Sequence, residues 1–166
     1  MRQYCNTSSD GKLLFLSRDD NYNSDIYVSS FNGNSWTKAV KLNKNINTKY
    51  WESHGFISED GNQIIFASDK PDGFGGLDLY LSHKVNGDWG PAINLGPEIN
   101  TPFNEDRPFL INKGNTLFFS SQGHENIGGY DIFRSDKQSN GLWSKPENLG
   151  YPINTPDDNI FFMPIG

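Results

Sequence analysis

Apolar residues in this chain gather in short runs rather than at helical steps. Three runs are almost continuously apolar: "LLFLS" at 13–17, "QIIFAS" at 63–68 and "TLFFSS" at 116–121. Such runs predict strands covered on both faces. A loop follows each, and then a second strand: "DIYVSS" (25–30), "DLYLSH" (78–83) or "DIFRSD" (131–136). No segment keeps an i, i+3, i+4, i+7 apolar pattern over successive turns without Gly or Pro, so helix is nearly absent. The 20 Asn, 17 Gly and 9 Pro, with 14% aromatic residues, fit many short strands joined by tight turns.

The strands repeat. Asn-Gly falls at 32–33, 86–87 and 140–141, a constant step of 54, with Trp36, Trp89 and Trp143 just after. Asp25, Asp78 and Asp131 recur every 53 residues, and Ile-Asn-Thr falls at 46–48, 99–101 and 153–155. Each unit reads as four strands. The two strands above are B and C. Strand A precedes them as "QYCNTS" (3–8), "HGFIS" (54–58) or "RPFLI" (107–111). Strand D follows as "WTKAVKL" (36–42), "WGPAINL" (89–95) or "WSKPENL" (143–149). The Asn-Gly pairs predict type I′ hairpins between C and D, and Pro91 and Pro146 make D an edge strand.

Four antiparallel strands per unit predict β-propeller blades, at 1–45, 50–98 and 103–152, with an extra strand at 157–165. The fold class is all-β: three blades plus one strand of a fourth, either a partial propeller or half of a six-bladed ring. The Trp opening each strand D is expected to pack between neighbouring blades. Asp25, Asp78 and Asp131, each just before strand C, are expected to cap backbone N–H groups of the loop.

"SEDGNQIIFASDKPDGFGGLDLYLS" (58–82) followed by "WGPAINLGPEINTP" (89–102) resembles the TolB-like, WD-like β-propeller repeat of bacterial envelope proteins. Its pattern is a Ser-x-Asp-Gly turn, an apolar strand ending in Ser-Asp, Gly-Gly-x-Asp, then Trp and Asn-Leu-Gly before Ile-Asn-Thr-Pro. Residues 7–160 share it. Unit one departs most: its B–C loop "RDDNYNS" (18–24) is shorter and lacks Gly-Gly. The resemblance implies a periplasmic or outer-membrane-associated protein of the kind that carries OmpA-like parts or serves type IX secretion. Its partner would be a protein or a peptidoglycan or other glycan chain.

The final "INTPDDNIFFMPIG" begins a further unit. Three arrangements would account for it: continuation into a longer propeller, a homodimer of two three-bladed halves, or a return of the last strand to replace strand A of unit one.

Composition narrows the function classes. A net charge of −6 and a pI near 4.9 argue against nucleic acid as a partner. No apolar stretch reaches membrane-spanning length, so insertion is not expected, and no signal-peptide pattern opens the chain. A single cysteine, Cys5, excludes an intrachain disulfide and a cysteine-cluster metal site.

No catalytic constellation is visible, so the chain reads as a non-catalytic scaffold or recognition module. The alternative is part of a propeller-type glycan hydrolase or lyase whose catalytic residues lie in other blades. His54, His83 and His124 occupy different offsets in their units and read as structural or solvated. No cofactor is expected: Asp69, Asp72 and Asp78 lack EF-hand spacing, which argues against calcium, and no metal site is assigned. Binding candidates are the non-repeating residues on the D–A and B–C loops, which share one face of a propeller. They are Tyr50, Trp51, Phe74 and Phe103, with Asp19, Asp20, Tyr22, His124 and Glu125. Aromatics mixed with acids suit contact with peptide or glycan.

Overall fold

The computed structural model of the chain describes residues 3–8, 10–20 and 23–162, without the side chains of residues 3–6 and 20. Strands β1 (Gln3–Thr7), β2 (Leu13–Asp20), β3 (Asn23–Ser30) and β4 (Val40–Lys41) form one antiparallel sheet in chain order. A second comprises β5 (Glu52–Ile57), β6 (Gln63–Ser68), β7 (Asp78–Val85), β8 (Asp88–Trp89) and β9 (Ile93–Asn94). In it β7 pairs with both β8 and β9. The third runs β10 (Glu105–Ile111), β11 (Thr116–Ser121), β12 (Asp131–Asp136) and β13 (Glu147–Asn148).

The continuous apolar run in β6 has the cause its pattern implies. Ile64 and Phe66 face the first sheet, in a core with Phe15, Ile26, Ile46 and Trp89. Ile65 and Ala67 face the third, in a core with Ile99, Leu117, Phe119 and Phe133. Successive side chains leave a strand on opposite sides, so the middle sheet needs apolar residues at every position. Each fully buried Ile or Phe contributes roughly 1.5–3 kcal/mol.

The Ile-Asn-Thr repeat locks each D–A connection to the sheet it leaves. Ile46 and Ile99 fill the cores, and the following Asn pairs with strand C as another strand would. Asn47 Oδ1 accepts from Ile26 N (2.7 Å), Asn100 Oδ1 from Leu79 N (2.8 Å) and Asn154 Oδ1 from Ile132 N (2.8 Å). Thr48 and Thr101 then bind the buried carboxylates of Glu52 and Glu105 through both backbone N–H and hydroxyl.

Strand D is shorter than its sequence predicts, pairing over two residues in β4, β9 and β13. Pro91 and Pro146 supply no N–H to the ladder. A serine of strand C reaches across instead: Ser29, Ser82 and Ser135 donate to the carbonyls of Thr37, Gly90 and Ser144 at 2.6–2.7 Å.

Only Asn86-Gly87 makes the two-residue turn with both residues at positive φ (52° and 86°). The other two connections are wider. Phe31 bridges to Trp36 and Lys137 to Trp143, with the extra loop residues capped by Asn32 and Asn140 side chains.

The polar strand β1 pairs with β2 from Gln3↔Arg18 to Thr7↔Leu14, so nothing displaces it. The final segment instead follows the third sheet: Asn159 N donates to Tyr130 O (2.6 Å), and the Phe162 ring lies 5.2 Å from Phe118. Residues 157–162 enter no strand, and 163–165 lie outside the described residues. The return of this segment to unit one is therefore not the arrangement adopted.

A candidate ligand cavity at the loop face

Strands β5 and β10 each carry an irregularity near their start, between Ser53 and Phe56 and between Asp106 and Phe109. His54 and Arg107 occupy the two bulges with φ of 49° and 50°. A bulge re-aims side chains, and here it turns the start of strand A toward the loop face. His54 consequently touches both neighbouring sheets. Its N–H donates to Ser17 Oγ (3.0 Å), and its Nδ1 stands 2.6 Å from Asp106 Oδ1. Both side chains of that pair are 13% exposed.

Beside the pair lies a cavity of about 230 Å³ lined by Asp19, Ser24, Trp51, Ser53, His54, Leu77 and Asp106. All three sheets contribute. The B–C connections of the three units differ around this cavity. In the second sheet Gly75 and Gly76 pack flush on the connection at Thr101–Asn104, where a Cβ would strike the Thr101 and Phe103 carbonyls and Asn104 Oδ1. Gly128 and Gly129 do the same against Thr155, Pro156 and Asp158. In the first sheet, β2 and β3 run on to pair at Asp19↔Ser24 and Asp20↔Asn23, so among the described residues no Gly-Gly loop packs on the next connection.

Trp51 stands where the other connections place Asn104 and Asp158. Those residues accept from Leu77 N (2.8 Å) and Tyr130 N (3.0 Å). An indole cannot accept in that way, and its ring lines the open space instead. Asp69 holds it there: Trp51 N donates to Asp69 Oδ1 (2.8 Å).

No protein-family model and no curated protein matches the chain in sequence. Among solved structures, TolB from Acinetobacter baumannii superposes with a TM-score of 0.59 at 17% identity, over 90% of this chain and 33% of that one. The chain is a partial β-propeller. It spans about a third of the length of the TolB chain it matches. A structure from a study of two prolyl endopeptidases is matched at TM-score 0.41 and 20% identity, over 83% of this chain and 19% of that one, too distant to carry an argument.

The three sheets are thus blades, and the cavity opens at their D–A and B–C loop face. Of the binding candidates, Trp51 and Asp19 line it. Tyr22 lies outside the described residues, as does the Asp20 side chain. Tyr50 is half-buried beneath Lys49, whose Nζ sits 5.1 Å from its ring centre. Phe74 and Phe103 are exposed on the same face but stand outside the cavity, as does Glu125. His124 is a packing residue: its ring contacts Phe119 and Phe133, and Nε2 bonds the Ile99 carbonyl at 2.9 Å. Burial holds its pKa below the usual histidine value.

The repeated residues divide. Asp78 accepts from Phe74 N, Gly75 N and Asn94 Nδ2, and Asp131 from Ile127 N and Asn148 Nδ2, so both cap their B–C loops. Asp25, with no such loop, pairs with Lys41 at 2.6 Å. Trp89 is buried at the junction of blades one and two, and Trp143 packs partly buried on the next core. Trp36 departs from the expected packing role. It is 40% exposed and rests on Phe31, because no blade precedes it among the described residues.

Sequence reasoning set His54 aside as structural or solvated and did not single out Asp106, Ser53 or the two buried glutamates. Burial raises the pKa of Glu52 and Glu105, against the hydrogen bonds from Thr48 and Ser68 and from Thr101 and Ser121. The signal for the others was present. Ser53 aligns with Asp106 and His54 with Arg107, so these positions differ inside an otherwise uniform repeat.

Proposed function

We propose that the chain is a non-catalytic recognition module of a bacterial envelope complex. It would bind a protein or a cell-wall glycan at the loop-face cavity. One observation carries this reading: a cavity of about 230 Å³ lies where the three blades meet, lined by the non-repeating Trp51 beside Asp19 and Asp106. A rigid frame with irregular decoration at one mouth is the usual layout of a binding propeller. The resemblance to envelope propeller repeats supports the periplasmic setting. Among the described residues no helix is long and apolar enough to cross a membrane.

Backbone amide NMR of the labelled chain, titrated with soluble peptidoglycan fragments and with envelope-protein peptides, tests the reading. Shifts should concentrate at residues 17–24, 50–54, 77 and 105–107. Shifts scattered over all three blades, or none, would sink it. Trp51→Ala should abolish the response while leaving the melting temperature close to wild type.

A second reading rests on the His54–Asp106 pair. A histidine oriented by a carboxylate is what a general base requires, and would suit a glycan hydrolase or lyase. Release of new sugar ends from peptidoglycan, abolished in His54→Gln, would favour that class over simple binding.

A further inference from the structure

We infer that the occupant of this cavity is a basic side chain, a lysine or arginine presented by a partner protein. The inference rests on the reading of the cavity as a recognition site and names what it recognises.

The lining sets the chemistry. Asp19 and Asp106 bring two carboxylates, and no lysine or arginine is among the described residues that line the space. Asp19 makes no ion pair among the described residues, whereas one oxygen of Asp106 is engaged by His54 Nδ1 and Arg107 N. Ser53 supplies an independent observation. It is 2% exposed, its Oγ has no hydrogen-bond partner, and it lines the cavity. A buried hydroxyl without a partner costs free energy, which a ligand donor relieves.

The indole of Trp51 completes the set, since a cation over an aromatic face is attracted by the ring quadrupole. The two carboxylates and the π face are complementary to a positively charged donor carried on an apolar stem, as in lysine or arginine. The chain's net charge of −6 steers such a ligand inward. The volume is below the roughly 300–1,000 Å³ of pockets for drug-sized ligands, which suits one inserted side chain rather than a polymer segment. A neutral sugar could stack on Trp51 but would leave the second carboxylate without a counter-charge.

Tryptophan fluorescence of the intact chain is the measurement. The probes are the blocked tripeptides acetyl-Gly-Lys-Gly-amide and acetyl-Gly-Arg-Gly-amide, the first also with its lysine acetylated, and N-acetylglucosamine. A saturable change with the basic peptides, lost on acetylation, is expected. Asp19→Asn should weaken it about tenfold, and Trp51→Phe should remove the signal while retaining binding by calorimetry.

An equal response to the acetylated peptide overturns the charge argument. A response to N-acetylglucosamine alone overturns the inference but leaves the recognition reading standing, with a glycan as ligand. No saturable response to any probe, from a chain whose melting curve shows it folded, rejects both.

Discussion

The side chain of Asn100 lies along the backbone of Leu79, accepting from its N–H at 2.8 Å and donating to its carbonyl at 3.0 Å. Both residues are buried, so no water replaces these bonds. The Leu79 carbonyl keeps a second partner in Leu95 N, whereas its N–H has Asn100 as its acceptor. Asn100→Ala should therefore cost about 1–3 kcal/mol, the penalty of one orphaned buried donor. Urea denaturation measures it. A loss no larger than that of an exposed Asn140→Ala control would contradict the assignment.

Trp89 and Trp36 hold the same place in the repeat but not in the fold. Trp89 is 6% exposed, and its carbonyl accepts from both Asn43 and Asn45 of the preceding blade. Trp89→Ala should cost about 3–5 kcal/mol as a core truncation. Trp36→Ala should cost well under half of that, since its ring meets solvent and Phe31. Equal losses in the two variants would mean that a partner surface covers Trp36 in solution.

Gly128 is required for space, not for its backbone angle. A Cβ there would stand 2.6 Å from the carbonyl oxygens of Thr155 and Pro156. Gly128→Ala is expected to cost about 1–3 kcal/mol through overpacking. Gly11, with φ of 67° and open space around it, should cost about 1 kcal/mol as Gly11→Ala. Thermal melts of the two variants compare them directly, and the reverse ranking would show that the loops separate readily.

Glu105 carries a pH signature. Burial raises its folded-state pKa above the unfolded value, so protonation stabilises the fold relative to the ionised form. That contribution is complete below the ordinary carboxyl range and is lost as pH rises through the elevated folded value. Glu105→Gln keeps the shape and removes the charge. Its melting temperature relative to wild type should climb between pH 4 and pH 8. A difference that stays flat, or falls, would show that the hydrogen bonds from Thr101 and Ser121 outweigh burial.

Much of this architecture is written in one dimension. Spacing alone locates the blades, because a unit that repeats Asp25, Asp78 and Asp131 must repeat its strands. The unbroken apolar runs of β6 and β11 declare sheets covered on two faces. The Gly-Gly pairs, the Pro residues of strand D and the missing Gly-Gly of unit one are equally plain as letters. What each does depends on contact across blades. Serines one strand away take up strand D's carbonyls where its ladder stops, and Trp36 is exposed where no blade precedes it among the described residues.

The site divides in the same way. Trp51 could be singled out because it lies outside the tryptophan repeat. His54 and Asp106 are 52 residues apart and carry no local motif, and only the packing of β10 against β5 brings their side chains to 2.6 Å. The buried glutamates were hidden for a related reason: a carboxylate reads as surface until threonine and serine from other segments surround it. Local pattern determined the blades because strand period and turn chemistry act between near neighbours. The cavity belongs to tertiary structure, since its walls come from residues of three blades that are distant in sequence.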